Sequence, residues 1–201
     1  MGTAERKERE KQRRRTTIIN AAERIFFSSR GNKKTMDDVA KRVELSKGTL
    51  YLYFKNKDEL LYAIAQKGVN KLCDYLKQST STTLNGREQL SEYGDAFVQF
   101  VTDHPKHFDL ILRFEILEPT IESDMIMEPA LNLLQHALTL GQSDGTIRKD
   151  HTEKELVIVL WSQMVGILNT IKHKEKYLNQ FNIDVQQIIK GHFHLIMQGI
   201  G

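Results

Sequence analysis

The sequence has few of the features that a secreted or membrane-spanning protein needs. Its 201 residues include a single cysteine, Cys73, which excludes an internal disulfide framework and favours a reducing compartment. The first residues, MGTAERKEREKQRRR, lack the apolar core of a secretory signal. The longest uninterrupted apolar run, Leu156–Trp161, has six residues, whereas a membrane span needs roughly 18. We therefore expect a cytoplasmic protein with no membrane partner.

Proline is also scarce, with three residues, and alternating β-branched runs are few. Apolar residues instead recur at helical spacing, beginning with Ile18, Ala22, Ile25 and Phe26 at i, i+4, i+7 and i+8. Gly31 follows this stretch and is predicted to cap the C-terminus of the first helix. The pattern predicts an all-α protein of roughly nine helices.

The charges are distributed unevenly along the chain. Residues 1–60 hold 16 Lys and Arg against nine Asp and Glu, a net charge of +7, whereas residues 61–201 carry a net charge of −4. A basic N-terminal part joined to a mildly acidic body is typical of a headpiece that faces a polyanion. A solvated charged surface would give the same distribution, so charge alone leaves both interpretations open.

Residues 35–54 have the proportions of a helix-turn-helix. Thr35 and Ser46 are predicted to cap its two short helices, and Leu50 and Phe54, at i and i+4, would anchor the second helix inward. This division suits a helix that reads the DNA major groove. Its exposed side would carry Lys47, Gly48, Thr49, Tyr51 and Tyr53.

The string TMDDVAKRVELSKGTLYLYFKNKDELL, together with the preceding AAERIFFSSRG, resembles the N-terminal domain of the tetracycline-repressor (TetR) family. The resemblance covers about residues 14–62 and implies a DNA-binding domain at residues 1–60 and a helical effector-binding and dimerisation domain at residues 61–201. Asp37 occupies a position where some members place a base-reading side chain; we interpret it as favouring the helix N-terminus rather than accepting from cytosine. The resemblance implies phosphate contacts from Thr35, Tyr51, Tyr53 and Lys57, and base-edge contacts from Lys47, Gly48 and Thr49.

Each of these residues also has a purely structural interpretation. Tyr51 and Tyr53 could be half-buried packing residues, Lys57 a solvated lysine, and Thr35 only a cap. Their joint order and spacing favour DNA binding. The basic residues 13–15 could attract phosphates or enter the minor groove, or belong to a disordered tail.

One residue departs from the family pattern. The turn between the two short helices usually carries glycine where this chain has Glu44. If the backbone is left-handed there, a non-glycine residue costs about 1 kcal/mol. The geometry of the turn is therefore the least secure part of the predicted motif.

For the C-terminal body, the resemblance implies that the last two helices form a dimer. The apolar residues of the helix at 156–168, with Gly166 permitting close approach, and a helix near 185–198 suit an isologous bundle. The alternative is that both are ordinary core helices.

The resemblance also implies an inducer pocket in this body. Aromatic and methionine side chains would give an adaptable apolar lining, although stripes at helical spacing more often form core. The candidate lining residues are Phe97, Phe100, Phe108, Met125, Met127, Trp161 and Met164.

The sequence offers little support for an enzyme, a metal site or a cofactor. His104 and His107 are at i, i+3, and His192 and His194 are two apart, but no Cys or carboxylate completes a familiar ligand set. Cys73 has no neighbouring histidine to activate it, and no Gly-rich phosphate loop is present. We expect no catalytic residues, no bound metal and no cofactor.

Together these observations predict a ligand-responsive repressor. It would bind a palindromic operator in double-stranded DNA as a homodimer and would be released by a small apolar or amphipathic effector. The effector would shift the long helix beginning at Lys57 and change the spacing of the two recognition helices. The alternative is a helical interaction or architectural protein that binds DNA without ligand-regulated transcription.

Overall fold

The computed structural model describes residues 2–114 and 126–201. These residues form nine α-helices and one short 3-10 helix, Gly31–Lys33, with no strand among them, which confirms the predicted all-α class. The α-helices are α1 (Thr3–Phe26), α2 (Met36–Arg42), α3 (Lys47–Tyr51), α4 (Lys57–Ser79), α5 (Gly86–Asp103), α6 (Pro105–Leu112), α7 (Glu128–Asp144), α8 (Glu153–Gln180) and α9 (Val185–Gly199).

The chain packs into two compact units that alternate along the sequence. The first, the headpiece unit, comprises Met1–Asn70 and His104–Met127, and the second, the body unit, comprises Lys71–Asp103 and Glu128–Gly201. Helix α6 therefore belongs with the N-terminal helices, and α4 begins in one unit and ends in the other. The predicted division at residue 60 concerns function and stays a prediction.

The core of the headpiece unit comes from one face of each N-terminal helix. Ile18 and Ala22 of α1, Val39 of α2 and Leu50 of α3 are fully buried, as is Phe54 just beyond α3. Burying side chains of this size contributes about 1.5–3 kcal/mol each. This shared core holds the two short helices of the helix-turn-helix against α1.

A polar contact joins α1, α4 and α6 within the same unit. Glu23 of α1 accepts a hydrogen bond from Lys67 of α4, and its other carboxylate oxygen lies 3.3 Å from Nε2 of His107 on α6. His107 is 4% exposed and packs against Gly68, where a Cβ would come within 3.0 Å of the imidazole ring. Pro105 is the first residue of α6, a position where its missing N–H costs no hydrogen bond.

In the body unit, α5 and α7 approach each other so closely that their backbones touch. A Cβ on Gly86 would overlap the backbone of Gly141, and a Cβ on Gly141 would overlap Ile147. Glycine at position 86 lets α5 pack closely against α7, and glycine at position 141 makes room for the side chain of Ile147. Helix α8 then begins at a capping box, in which Thr152 and Glu155 exchange hydrogen bonds.

One prediction for the N-terminal segment is wrong, and one of the two interpretations of residues 13–15 is excluded. Helix α1 ends at Phe26, and Gly31 begins the 3-10 helix instead of capping α1; a Cβ on Gly31 would overlap the Phe26 carbonyl, so glycine is required by a close approach. The basic residues 13–15 lie inside α1 rather than in a disordered tail. The Arg15 guanidinium lies 4.7 Å from the centre of the Phe54 ring, which ties this part of α1 to the headpiece core.

Helix α8 is the one helix in the described part of the chain that is long and apolar enough to cross a membrane, judged by length and composition alone. The segment is Glu153–Lys174, with a mean hydropathy of 1.2, and 28% of it is buried. Ile158 and Val159 are 65% and 47% exposed. The described residues therefore cover only part of the apolar surface of α8.

Replacing Gly86 with alanine should lower the free energy of unfolding by about 1–3 kcal/mol, because the added methyl overlaps the Gly141 backbone. Urea-induced unfolding, followed by circular dichroism at fixed protein concentration, measures the change. Gly48→Ala in α3 is the matched control: among the described residues a Cβ there meets only Ser46 Oγ, at 3.9 Å, so this substitution should not destabilise the protein. Equal effects of the two substitutions would contradict the close approach of α5 and α7.

Candidate nucleic-acid interface

Helix α3 has five residues, far fewer than the roughly 12–15 that an isolated helix needs to be stable in water. Its position therefore depends on its surroundings. Ser46 caps it as predicted, accepting a hydrogen bond of 3.1 Å from the backbone N–H of Thr49. Leu50 and Phe54 are fully buried, which confirms the predicted inward anchors.

The turn between α2 and α3 contains the left-handed residue anticipated at Glu44. Its φ is +55°, so a glutamate occupies backbone that favours glycine, at a cost of about 1 kcal/mol. The N–H of Leu45 donates to the carbonyl of Ala40 over 2.9 Å, which closes the C-terminus of α2. The motif thus keeps its geometry despite the departure from glycine.

Three of the five residues predicted on the exposed side of α3 are exposed in the structure. Lys47 and Gly48 are exposed and Tyr51 is 40% exposed, whereas Thr49 is half-buried. The half-buried Tyr53 lies two residues beyond the end of α3. The exposed backbone and side chains of α3 form a small convex surface that can enter a groove.

Gly48 has no packing partner that explains its missing side chain. A Cβ there would have only Ser46 Oγ, at 3.9 Å, within reach among the described residues. Glycine within a helix costs roughly 0.8–1 kcal/mol relative to alanine. Gly48 therefore makes α3 less stable than alanine would at the same position. Such a glycine is expected where another molecule approaches the backbone closely.

A contact that the sequence analysis missed links α2 to α3 on this face. Nζ of Lys47 lies 2.9 Å from Oδ1 and 3.2 Å from Oδ2 of Asp37. The hydrogen bond to Asp37 raises the pKa of Lys47, so the ammonium stays charged. Asp37 does lie in the first turn of α2, as interpreted, but that position also brings it opposite the first turn of α3.

Thr35 and Lys57 lie at the beginnings of two helices. The Thr35 hydroxyl accepts from the N–H of Asp38, whose carboxylate accepts from the Thr35 N–H over 2.8 Å. Lys57 is the first residue of α4; its ammonium donates to the Lys34 carbonyl over 2.8 Å and lies 5.0 Å from the centre of the Phe26 ring. Backbone N–H groups at helix N-termini attract phosphates, so both places suit contacts with a nucleic-acid backbone.

The structure distributes the predicted effector-lining residues between the two units. Phe97, Phe100, Trp161 and Met164 belong to the body unit, where the rings of Phe97 and Trp161 are in edge contact with centres 5.8 Å apart. Phe108 and Met127 belong to the headpiece unit and are buried there. Met125 lies outside the described residues.

A groove of about 600 Å³ runs along α8 and α9 in the body unit. It is lined mainly by apolar side chains and contains none of the predicted effector-lining residues; Gly166, where a Cβ would meet no described atom within 4 Å, opens onto it. The exposed side chains of Val159 and Leu195, at 47% and 70%, flank it. Among the described residues, this groove and its edges leave apolar surface of α8 and α9 uncovered.

The part of the chain that the structure describes contains no group of three or more His, Cys, Asp and Glu side chains able to hold a metal ion. Burial raises the pKa of the Cys73 thiol, which disfavours the thiolate. Among residues 2–114 and 126–201, the helix-turn-helix is thus the best-defined candidate site.

Comparison with known proteins places the N-terminal helices in a recognised group. Residues 18–64 match the family model described as bacterial regulatory proteins, tetR family. The chain is 30% identical over 116 residues to the transcriptional activator FasR of Mycolicibacterium smegmatis, covering 58% of this chain and 49% of FasR. It is 23% identical over 137 residues to the fatty acid metabolism regulator protein of Bacillus subtilis, covering 66% of this chain and 70% of that relative.

The first of these alignments spans about half the length of the relative. A solved structure extends the likeness to the whole fold. The TetR-family transcriptional repressor FadR of Thermus thermophilus, in complex with lauroyl-CoA, superposes with a TM-score of 0.70, covering 92% of this chain and 94% of FadR at 16% identity. At that identity the likeness concerns the fold alone.

Replacing Gly48 with alanine should raise the free energy of unfolding by up to about 1 kcal/mol, because the methyl meets open space and alanine favours the helix. Urea-induced unfolding of the two proteins at equal concentration measures the difference. A loss of stability would mean that glycine is needed by the fold itself.

Proposed function

Because this chain belongs to the tetR family of bacterial regulatory proteins, we propose that it is a ligand-responsive transcriptional regulator that binds operator DNA as a homodimer. The observation that supports DNA binding best is the exposed face of α3, with a glycine at its centre and two buried anchors behind it. Such a regulator works on bacterial DNA and is therefore cytoplasmic. Its relatives are named as transcriptional regulators, which gives an enzymatic role no support.

In this proposal α3 enters the major groove and the residues around it hold the DNA backbone. Lys47, Gly48 and Thr49, in the first turn of α3, would contact base edges. The phenol of Tyr51 would donate to a phosphate, which fixes register without reading sequence. The remaining phosphate contacts would come from Thr35, Tyr53 and Lys57.

The groove along α8 and α9 supports the homodimer. A second copy of the same chain would cover it through a two-fold axis, so that each α8–α9 pair meets its equivalent. The exposed side chains of Ile158, Val159 and Leu195 would be buried by this contact. A two-fold dimer presents two copies of α3 to half-sites about one helical turn apart, and the operator is then an inverted repeat.

The proposed effector is amphipathic, with a fatty acyl-CoA thioester as the first candidate. The Thermus thermophilus FadR structure contains lauroyl-CoA, and the Bacillus subtilis relative is named a fatty acid metabolism regulator protein. In this chain Phe97, Phe100, Trp161 and Met164 of the body unit would contact the apolar chain of the effector. An effector that binds the released conformation more tightly shifts the protein away from DNA in proportion to that difference in affinity.

The relatives differ in the direction of regulation. FasR is named an activator and Thermus thermophilus FadR a repressor. We propose repression, in which the bound dimer blocks transcription and the effector restores it. A reporter gene placed behind a recovered operator, with and without this protein, decides between the two directions.

The primary test is selection of genomic fragments by the purified protein at near-physiological salt, followed by sequencing. Recovery of a shared inverted repeat is expected from a dimeric sequence reader. Recovery of unrelated fragments, with affinity that falls steeply as salt rises, would overturn the proposal and support the architectural alternative.

Substitutions of the residues proposed to contact DNA should distinguish those that contribute to affinity for any DNA sequence from those that determine which bases are preferred. Tyr51→Phe or Lys57→Ala should weaken binding to all sequences, because each would remove a phosphate contact, whereas Lys47→Ala or Thr49→Ala should change the preferred bases. Gly48→Ala should weaken operator binding while leaving the protein folded. Fluorescence anisotropy with labelled operator and scrambled duplexes measures both quantities. Unchanged binding in all five variants would exclude this face as the interface.

Replacing Leu195 with glutamate should convert the dimer to a monomer, because it places a charge on the exposed apolar face of α9. Analytical ultracentrifugation measures the mass of the assembly. Leu52→Glu is the matched control: Leu52 is 81% exposed in the headpiece unit, so the same substitution should leave the dimer intact. A wild-type monomer that associates with lipid vesicles would overturn the dimer and point to α8 as a membrane-binding helix.

Acyl-CoA binding should release the protein from its operator. Lauroyl-CoA, stearoyl-CoA and free CoA would be titrated into the labelled complex, with loss of anisotropy as the signal. Release by the acylated compounds and not by free CoA is expected, because the acyl chain supplies the apolar contact. Equal behaviour of all three compounds would exclude acyl-CoA as the effector.

A further inference from the structure

We infer that Asp37 determines operator specificity together with Lys47: the two side chains form one donor–acceptor unit that reads a G·C base pair in each half-site. This inference rests on the proposed binding of α3 in the major groove. In this inference Asp37 takes part in base recognition through its contact with Lys47. Its position in the first turn of α2 and its negative charge would not by themselves indicate that role.

The geometry fixes the two side chains relative to each other. The ammonium of Lys47 lies 2.9 Å and 3.2 Å from the two carboxylate oxygens of Asp37, ten residues away on another helix. The side chains remain 61% and 51% exposed, so the pair stands on the surface beside Gly48. A lysine side chain is otherwise flexible, and this contact restricts where its ammonium lies.

The capping of α2 does not need this carboxylate. Thr35 and Asp38 form the capping box, and Asp38 carries the side chain that accepts from the Thr35 N–H. Asp37 is the neighbouring acid, and the hydrogen bond that the structure shows for it is the one from Lys47. Its carboxylate is therefore directed toward α3 and away from the backbone of its own helix.

The paired side chains present complementary chemistry to one base pair. An ammonium has three N–H donors, and two carboxylate oxygens cannot occupy all of them. The remaining donor can reach O6 and N7 of guanine, while the outer lone pairs of the carboxylate can accept from N4 of cytosine. In the major groove a G·C pair offers these acceptors and this donor side by side.

The carboxylate also reduces binding to other sequences. It neutralises Lys47 locally, so this part of the face attracts phosphates less than a free lysine would. At a base pair that presents only an acceptor to Asp37, the carboxylate would lose its water without gaining a hydrogen-bond donor. This loss makes binding to such a base pair unfavourable. Asp37 thus weakens nonspecific binding and makes binding depend on the base pair that it faces.

The test compares Asp37→Asn with the wild-type chain in two measurements. In fragment selection, wild-type protein should recover a G·C pair at one position of each half-site, and exchange of that pair for A·T should weaken binding by about 5- to 150-fold. In Asp37→Asn this ratio should fall to less than about threefold, since the neutral amide attracts the ammonium less and replaces one of the two acceptor oxygens with an NH2 donor. On scrambled duplex, Asp37→Asn should bind more tightly, with a log–log salt slope steeper by up to about 0.9.

Two further variants distinguish recognition from charge and folding. Asp74→Asn removes the same charge from an exposed position of α4 in the body unit and should change neither the base ratio nor the salt slope. Lys47→Gln removes the other half of the unit and should reduce the base ratio at the same position as Asp37→Asn. Thermal unfolding by circular dichroism checks that each variant is folded.

Either of two results would overturn the inference. Retention of the full G·C preference and of the wild-type salt slope by folded Asp37→Asn would show that Asp37 plays no part in recognition, and the proposed function would stand. Failure of the wild-type protein to select any shared repeat would overturn both the proposed function and the role of Asp37.

Discussion

The proposed DNA-binding surface depends on a helix that is too short to be stable by itself. Five residues make little more than one turn, and a helix of that length in isolation is mostly unfolded in water. Leu50 and Phe54 fix α3 by burial against the headpiece core, and the Ser46 cap fixes its first turn. These contacts lie on the buried side of α3, so the residues on its exposed side are not needed to hold the helix in place. A glycine and an ion pair can therefore occupy the exposed side.

The features that could be read from the sequence are those that local chemistry determines. Thr35 and Ser46 were recognisable as caps because an N-cap needs only a short oxygen-bearing side chain just before a helical stretch. The inward residues of α3 followed from i, i+4 spacing. The left-handed turn at Glu44 followed from the family pattern, and the structure shows its φ of +55°.

Contacts between residues far apart in sequence could not be read in this way. Neither Asp37 nor Lys47 carries a local signal for the other, since their contact depends on how α2 crosses α3. Gly31 looked like a C-cap because glycine commonly occupies that position, whereas a close approach to the Phe26 carbonyl requires it here. For Phe97 and Phe108, helical spacing identified buried faces but could not assign them to different compact units.

The alternation of the two units along the chain limits how the proposed regulator can evolve. A protein whose recognition and sensing parts followed one another in sequence could acquire a new sensor by a single gene fusion. Here the chain passes between the units after Asn70, Asp103 and Met127. A single recombination event at one of these junctions would therefore join a segment of each unit from one protein to the remaining segments from another. New ligand specificity is therefore expected to arise by gradual substitution within the body unit, while the headpiece and α6 are inherited together.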